Sequence, residues 1–244
     1  MRLILLCFAL LLFACDAQSQ STAQGSDDVY TYGQANRDGI GKVYMGREIS
    51  HVMGHLGAGW LERPERQRDE RTDLLIVNLD LEPDHVVADI GAGTGFFTFP
   101  VSGRVPQGKV LAVDIQPEML SIIEQRKAAG SKPTSWQNIE TILGTEDNPN
   151  LPESAVDLIF MVDAYHEFAY PREMGEAMAR ALKPGGRIAL IEYRAEDRRV
   201  PIKRLHKMTE AQSRKEMEAL GLTWIETKDV LPQQHLMIFA KPAE

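Results

Sequence analysis

Cysteine is nearly missing from this chain. Its 244 residues contain two, Cys7 and Cys15, and residues 16–244 contain none. That scarcity excludes a disulfide-stapled fold, a cysteine zinc site, a cysteine nucleophile and a radical iron–sulfur cluster from the folded body. A basic excess is missing too. Lys and Arg number 27 against 35 Asp and Glu, a net charge of −8. Sequence-independent nucleic-acid binding needs a basic face, so no nucleic-acid partner is expected. Long apolar runs are also lacking. The one continuous run, residues 3–15, falls short of the roughly 20 residues of a comfortable membrane span. What is present, 43% hydrophobic and 25% charged residues, has the make-up of an ordinary globular body.

The N-terminal run reads as an address. Arg2 precedes about a dozen apolar residues, the pattern of a signal-peptide core. It closes on Leu12-Phe13-Ala14-Cys15, which resembles a bacterial lipobox. The resemblance implies cleavage before Cys15 and lipid on that residue, hence an exported, periplasmic chain anchored to a membrane. Residues 16–41 are polar and without helical or strand periodicity. The expected layout is a signal peptide over 1–14, a flexible tether over 15–41 and one domain over 42–244. A cytoplasmic protein, with translation starting nearer Met45, is the alternative.

The body alternates strands and helices. Apolar runs at Val86–Ile90, Lys109–Asp114, 138–143, Val156–Val162, 187–193 and 236–240 predict six strands, and 223–227 is a candidate seventh. Helices are expected after Pro117, over 171–182, and over 209–220 with Thr209 as N-cap and Gly221 as stop. Two further helices, 44–61 and 64–81, are expected to form an N-terminal helical lid over 42–82, with Tyr44, Met45 and Trp60 over the ligand site. The fold class is α/β: a Rossmann-like core over 83–244, with a mostly parallel sheet and helices on both faces. Ligands of such sheets bind at the carboxyl ends of the strands.

Directly after the first run stands Asp89-Ile90-Gly91-Ala92-Gly93-Thr94-Gly95. Glycines let the backbone turn tightly and approach a ligand closely. The G-x-G-x-G spacing departs from the dinucleotide fingerprint, and no Gly-Lys-Ser/Thr follows to make a P-loop. Nineteen positions past Gly95, the second run ends in Asp114, a carboxylate placed to accept ribose hydroxyls. Together with Leu182-Lys183-Pro184-Gly185-Gly186 and the run after it, these segments resemble the motifs of class I S-adenosylmethionine-dependent methyltransferases, over roughly 70–242. The resemblance implies a seven-stranded sheet with its last strand antiparallel and S-adenosylmethionine as cofactor. It places Asp89 near the methionine amino group, Gly91, Gly93 and Gly95 against the ligand, Asp114 on the ribose and Ile115 on the adenine. Either Glu146 or Asp147 would meet the adenine amino group.

Methyl transfer from a sulfonium needs alignment and exclusion of water, and a base only where the acceptor must lose a proton. The segment Asp163-Ala164-Tyr165-His166-Glu167-Phe168 follows the fourth strand, where the family places the methyl group. His166 is the candidate base or acceptor-orienting group, with Tyr165 and Glu167 beside it, and Asp163 joins the cofactor-binding set. Glu192 and Tyr193 are further pocket candidates, and the basic segment 200–207 is a candidate contact for an anionic substrate. His51 and His55, four apart, lack the Glu of a His-Glu-x-x-His motif because position 52 is Val, and no metal is expected. The Asn/Asp-Pro-Pro-aromatic motif of adenine and N4-cytosine methyltransferases is lacking. The expected function is in-line methyl transfer to a small-molecule or lipid acceptor. The alternative is an exported module that binds an S-adenosyl compound or nucleoside without catalysis.

Overall fold

The computed structural model of the chain describes residues 29–129 and 134–243. The leader, both cysteines and the first half of the expected tether lie outside the described residues. The chain first forms three short antiparallel strands, β1 (Tyr30–Tyr32), β2 (Gly39–Tyr44) and β3 (Arg47–Ser50). Short helices α1 (Ala58–Leu61), α2 (Arg66–Glu70) and α3 (Thr72–Val77) follow. The core then alternates β4 (Val86–Ile90), α4 (Thr98–Ser102), β5 (Lys109–Asp114), α5 (Pro117–Ala128), β6 (Ile139–Leu143), β7 (Val156–Val162), α6 (Pro171–Ala181), β8 (Leu182–Tyr193), α7 (Glu210–Glu218), β9 (Thr223–Lys228) and β10 (Gln234–Ala240).

These last seven strands make one sheet in the order β6-β5-β4-β7-β8-β10-β9. All neighbours are parallel except β10, which runs antiparallel to both β8 and β9. Successive residues of the central strands point to opposite faces, and both faces are covered. Val87, Val110, Leu158 and Phe160 pack with Leu75 of α3, Val101 of α4 and Ile123 of α5. Ala88, Leu111, Ile159 and Met161 pack on the other face, with Met174 and Met178 of α6 and Met217 of α7. The seven-stranded Rossmann-like sheet expected from the sequence is therefore present, with 223–227 supplying its seventh strand. Pro117 and Pro171 open α5 and α6, and the Thr209 hydroxyl caps α7 by accepting the Gln212 N–H. Among the described residues no helix is long and apolar enough to cross a membrane.

The segment before the sheet differs from the expected helical lid. Residues 44–61 are not a helix: Tyr44 pairs with Arg47 across a two-residue turn, and Met45 and Gly46 both have positive φ, 50° and 97°. That is the hairpin turn whose twist matches its strands. The expected tether also ends sooner, because residues 30–41 already belong to β1 and β2 or the loop between them. Residues 64–81 hold two short helices broken at Arg71, where φ is 53°.

Charge pairs dock the hairpin onto the core. Arg47 donates from Nε and Nη2 to the two oxygens of Glu216 on α7, at 2.7 and 2.8 Å, and from Nη1 to the His166 carbonyl at 3.1 Å. The Glu216 side chain is 0% exposed. Removing one partner of a buried pair strands the other charge. Arg47→Met is therefore expected to cost about 3–5 kcal/mol in urea denaturation. A loss below about 1 kcal/mol would show that the pair does not hold the hairpin.

Candidate active site

A cavity of about 580 Å3 opens at the carboxyl ends of the parallel strands. Its volume falls within the roughly 300–1,000 Å3 of small-molecule sites. Strand order reverses between β4 and β7, with β5 and β6 on one side and β8 on the other. The loops leaving β4 and β7 diverge there and leave a crevice.

One wall is the glycine loop. Gly91, Gly93 and Gly95 all have positive φ, 74°, 54° and 81°. A Cβ on Gly91 would lie 2.7 Å from the Ala164 Cβ, and one on Gly93 would lie 2.6 Å from Leu61 Cδ1. The first two glycines line the cavity. Gly95 does not. Its bare α-carbon lets Phe99 and Ile123 pack close beneath the loop, where a Cβ would meet them at 2.9 and 3.0 Å. Asp89 also stands off the cavity wall. It is buried under the loop, and its Oδ2 accepts the Thr98 hydroxyl at 2.6 Å. Burial pushes the Asp89 carboxyl up to about 7, partly offset by that bond and by Arg66, with the Asp114 charge adding to the rise.

Asp114 ends β5 and lines the cavity. Its Oδ2 accepts the Gly93 N–H and its Oδ1 accepts the Gln116 N–H, both at 2.9 Å. Burial raises its pKa, while the backbone N–H groups of Gln116, Gly93 and Ile115 oppose that rise. Ile115, Gln116 and Glu146 continue the wall. Of the two acids after β6, only Glu146 lines the cavity; Asp147 instead accepts the Thr145 hydroxyl at 2.6 Å.

The opposite wall is the loop after β7. Asp163 sits at φ 52°. Gln234 donates to its Oδ2 at 2.8 Å, and its Oδ1 is buried with no partner among the described residues. Burial, with the Glu70 and Glu192 charges nearby, holds this carboxyl well above the usual range. His166 is 2% exposed. Its Nδ1 lies 2.6 Å from Glu192 Oε2, and its Nε2 lies 3.2 Å from Nδ1 of His206. Burial disfavours the charged ring, but the Glu192 carboxylate outweighs this and raises its pKa. Glu167 lines the cavity beside it.

Tyr165 does not reach the cavity. Its ring is fully buried in the core, packed on Phe168 and near the Arg47 guanidinium. Glu192 is likewise buried and reaches the site only through His166, whereas Tyr193 lines the cavity. Of the basic segment, Lys203 pairs with Asp38 at 2.6 Å, and Lys207 donates to the Asp197 and Val200 carbonyls.

Residues 51–61 cover the opening. Gln116 accepts the His55 N–H at 2.7 Å and donates to the Met53 carbonyl at 3.0 Å. Glu167 Oε2 accepts the Met53 N–H at 3.1 Å. The cover is thus pinned to both walls. Trp60 lines the cavity as expected, but Tyr44 packs within the hairpin's own cluster with Tyr30 and Ile49. Sequence reasoning missed the partnership of His166 with His206, and the role of Gln116. The histidines lie 40 positions apart, and the sequence offered His206 only as part of the basic segment 200–207.

A protein-family profile described as Methyltransferase domain matches residues 88–188. That span runs from β4 into β8 and holds the glycine loop, Asp114 and the loop after β7. The core of this chain thus resembles a methyltransferase domain in sequence, and the S-adenosylmethionine-dependent methyltransferases in fold. A solved S-adenosylmethionine-dependent methyltransferase from Aquifex aeolicus superposes on this domain and its surroundings with a TM-score of 0.70. It is 25% identical, over 78% of this chain and 99% of that one. A demethylmenaquinone methyltransferase from Deinococcus radiodurans is 32% identical over 108 residues, which are 44% of this chain and 42% of the relative. The chain therefore spans under half the length of that curated relative. A solved [4+2]-cyclase also shares the fold, at TM-score 0.60 and 14% identity, over 71% of this chain and 82% of that one. The methyltransferase fold thus does not by itself fix the reaction.

The residues of this domain suit its cofactor, S-adenosylmethionine. The cavity side of Gly91 and Gly93 is a cradle that side chains would fill, the Asp114 carboxylate keeps acceptor capacity beyond its backbone bonds, and the buried Asp163 Oδ1 has no partner among the described residues.

The raised Asp89 carboxyl has a consequence for stability. Between about pH 4 and pH 7 the folded chain holds a proton that the unfolded chain has lost, so this residue's contribution falls as pH rises through that window. Asn can accept the Thr98 hydroxyl without ionising. Asp89→Asn is therefore expected to match the native chain near pH 4 and exceed it at pH 8 by a few kcal/mol, at about 1.4 kcal/mol per pH unit. Urea midpoints across pH check this, and parallel profiles for the two proteins would refute it.

Proposed function

We propose that this protein transfers a methyl group from S-adenosylmethionine to a small-molecule or lipid acceptor. The observation that carries the reading is a cavity between two unlike walls. The glycine loop and Asp114 form one, and the His166–Glu167 loop forms the other. When bound, the cofactor supplies an activated sulfonium methyl that an acceptor displaces in line.

The chain's own part is positioning. Gly91 and Gly93 admit the cofactor's backbone-facing edge, and Asp114 takes the ribose hydroxyls. Ile115 and Glu146 bound the adenine end. Asp163, with its free Oδ1, faces the methionine end. His166, held from behind by Glu192, orients the acceptor together with Glu167. The pinned cover of residues 51–61 excludes water. Val52, Leu56 and Trp60 on that cover are 42%, 93% and 51% exposed. Apolar side chains at the rim of a site favour an acceptor with a hydrocarbon part. A lipid-type acceptor agrees with the name of the Deinococcus relative.

Export and a lipid anchor on Cys15 belong to this proposal on the N-terminal sequence alone. They also favour a second reading, binding without catalysis, because S-adenosylmethionine is made in the cytoplasm.

Calorimetry of the full chain with S-adenosylmethionine and S-adenosylhomocysteine tests the cofactor end. Micromolar binding is expected, on the order of −8 kcal/mol. Asp114→Ala should weaken it at least tenfold, since hydrogen bonds to a charged group contribute roughly 1.5–3 kcal/mol each. No heat with either ligand would sink both readings. Heat without transfer of labelled methyl to membrane-lipid or small-molecule extracts would favour the second.

A further inference from the structure

Three side chains from two loops converge on one wall of the cavity. His166 Nε2 lies 3.2 Å from His206 Nδ1 and 3.8 Å from Glu167 Oε1. His206 Nδ1 lies 3.5 Å from that same oxygen. One point in space sits about 2 Å from all three atoms, the length of a zinc bond to imidazole nitrogen or carboxylate oxygen. The two rings meet at 78°, nitrogen toward nitrogen rather than face on face.

Two of the three donors are aimed by an outer partner. Glu192, 0% exposed, lies 2.6 Å from His166 Nδ1. A carboxylate there takes the Nδ1 proton in hydrogen bond and leaves the Nε2 lone pair for a cation. This carboxylate–histidine arrangement is the one that orients metal-binding imidazoles. The second oxygen of Glu167 accepts the Met53 N–H at 3.1 Å, which turns Oε1 toward the histidines. His206 sits at the end of a short 3-10 turn, Arg204–His206, with its backbone N–H on the Lys203 carbonyl. Among the described residues, this is the one group of three or more His, Cys, Asp or Glu side chains close enough to share an ion.

We propose that His166, Glu167 and His206 bind one divalent cation of the zinc type at the acceptor end of the cavity. Two nitrogens and one carboxylate oxygen suit zinc, or cobalt in its place, rather than magnesium or calcium, which take oxygen shells. Three protein ligands leave a coordination position open. All three line the cavity, so that position faces it. The functional meaning rests on the methyl-transfer reading: an acceptor hydroxyl or thiol entering the open position would lose its proton more readily beside the cation. The proposal runs against the sequence expectation of no metal. The ligands come from a site-loop pair and a residue 40 positions later, a spacing that matches no linear metal motif.

The test measures metal alone, with no S-adenosyl compound present. The full chain, stripped by chelator and dialysed against zinc, should retain one equivalent. Its cobalt form should show the intense visible absorption of a four-coordinate site. Glu167→Gln and His206→Ala, each checked for folding by circular dichroism, should lower the affinity at least tenfold. Failure of the native chain to retain zinc overturns the proposal, as does full retention by both variants. If the variants do not fold, the cobalt spectrum of the native chain decides, and a weak six-coordinate spectrum overturns the proposal. A chain that holds zinc but binds no S-adenosylmethionine supports the site and counts against methyl transfer alone. A chain that binds S-adenosylmethionine but no zinc does the reverse.

Discussion

The hydrogen bond from the Gly93 amide to the Asp114 carboxylate joins the two central strands where they end. A parallel sheet brings all its carboxyl ends to one edge, but it leaves the loops there free to diverge. This bond removes that freedom at β4 and β5. It depends on Gly93, whose φ of 54° and bare α-carbon let the amide turn inward below Leu61. It also depends on Asp114 being held in place by Gln116, whose side chain reaches across to the cover. One carboxylate therefore fixes the glycine loop, the start of α5 and the segment above the cavity.

The opposite wall is held by a different device. The loop after β7 carries His166, and three side chains from two elements grip that residue. Glu192 of β8 holds its ring and its backbone N–H, while Arg47 and Ser50 of the hairpin hold its carbonyl. Arg47 is itself neutralised by Glu216 on α7. The hairpin thus braces this wall of the cavity from outside, through the His166 backbone rather than through any side chain in the cavity. The D. radiodurans relative matches only part of this chain, and the 88–188 domain match leaves the hairpin out.

Much of this was legible in one dimension. Strand runs such as Val156–Val162 are apolar and β-branched, and the glycines after β4 can serve few purposes but a tight approach, so sheet and loop follow from the sequence. The hairpin was not legible. Met45, Ile49, Val52 and Met53 recur at spacings of three and four, which imitate a helix, and only Gly46 marks the turn. Which members of a motif face the ligand was also hidden. Gly91 and Gly95 are equivalent letters, yet one borders the cavity and the other packs on Phe99. Tyr165 and His166 are neighbours, yet their side chains point to opposite sides of the loop. Such choices are made by packing, which has no periodic trace. The meeting of His166 with His206 depends on the long connection after β8 folding back, and no local pattern encodes that.

Asp163 gives the site a further property. A buried polar oxygen left unpaired costs the folded state about 1–3 kcal/mol. A ligand that pairs with it returns that cost in addition to its own binding, and binding to the folded state alone shifts folding by mass action. The fraction of molecules open to proteolysis falls accordingly. Binding at Asp163 would therefore protect the folded chain against proteases as well as fill the site.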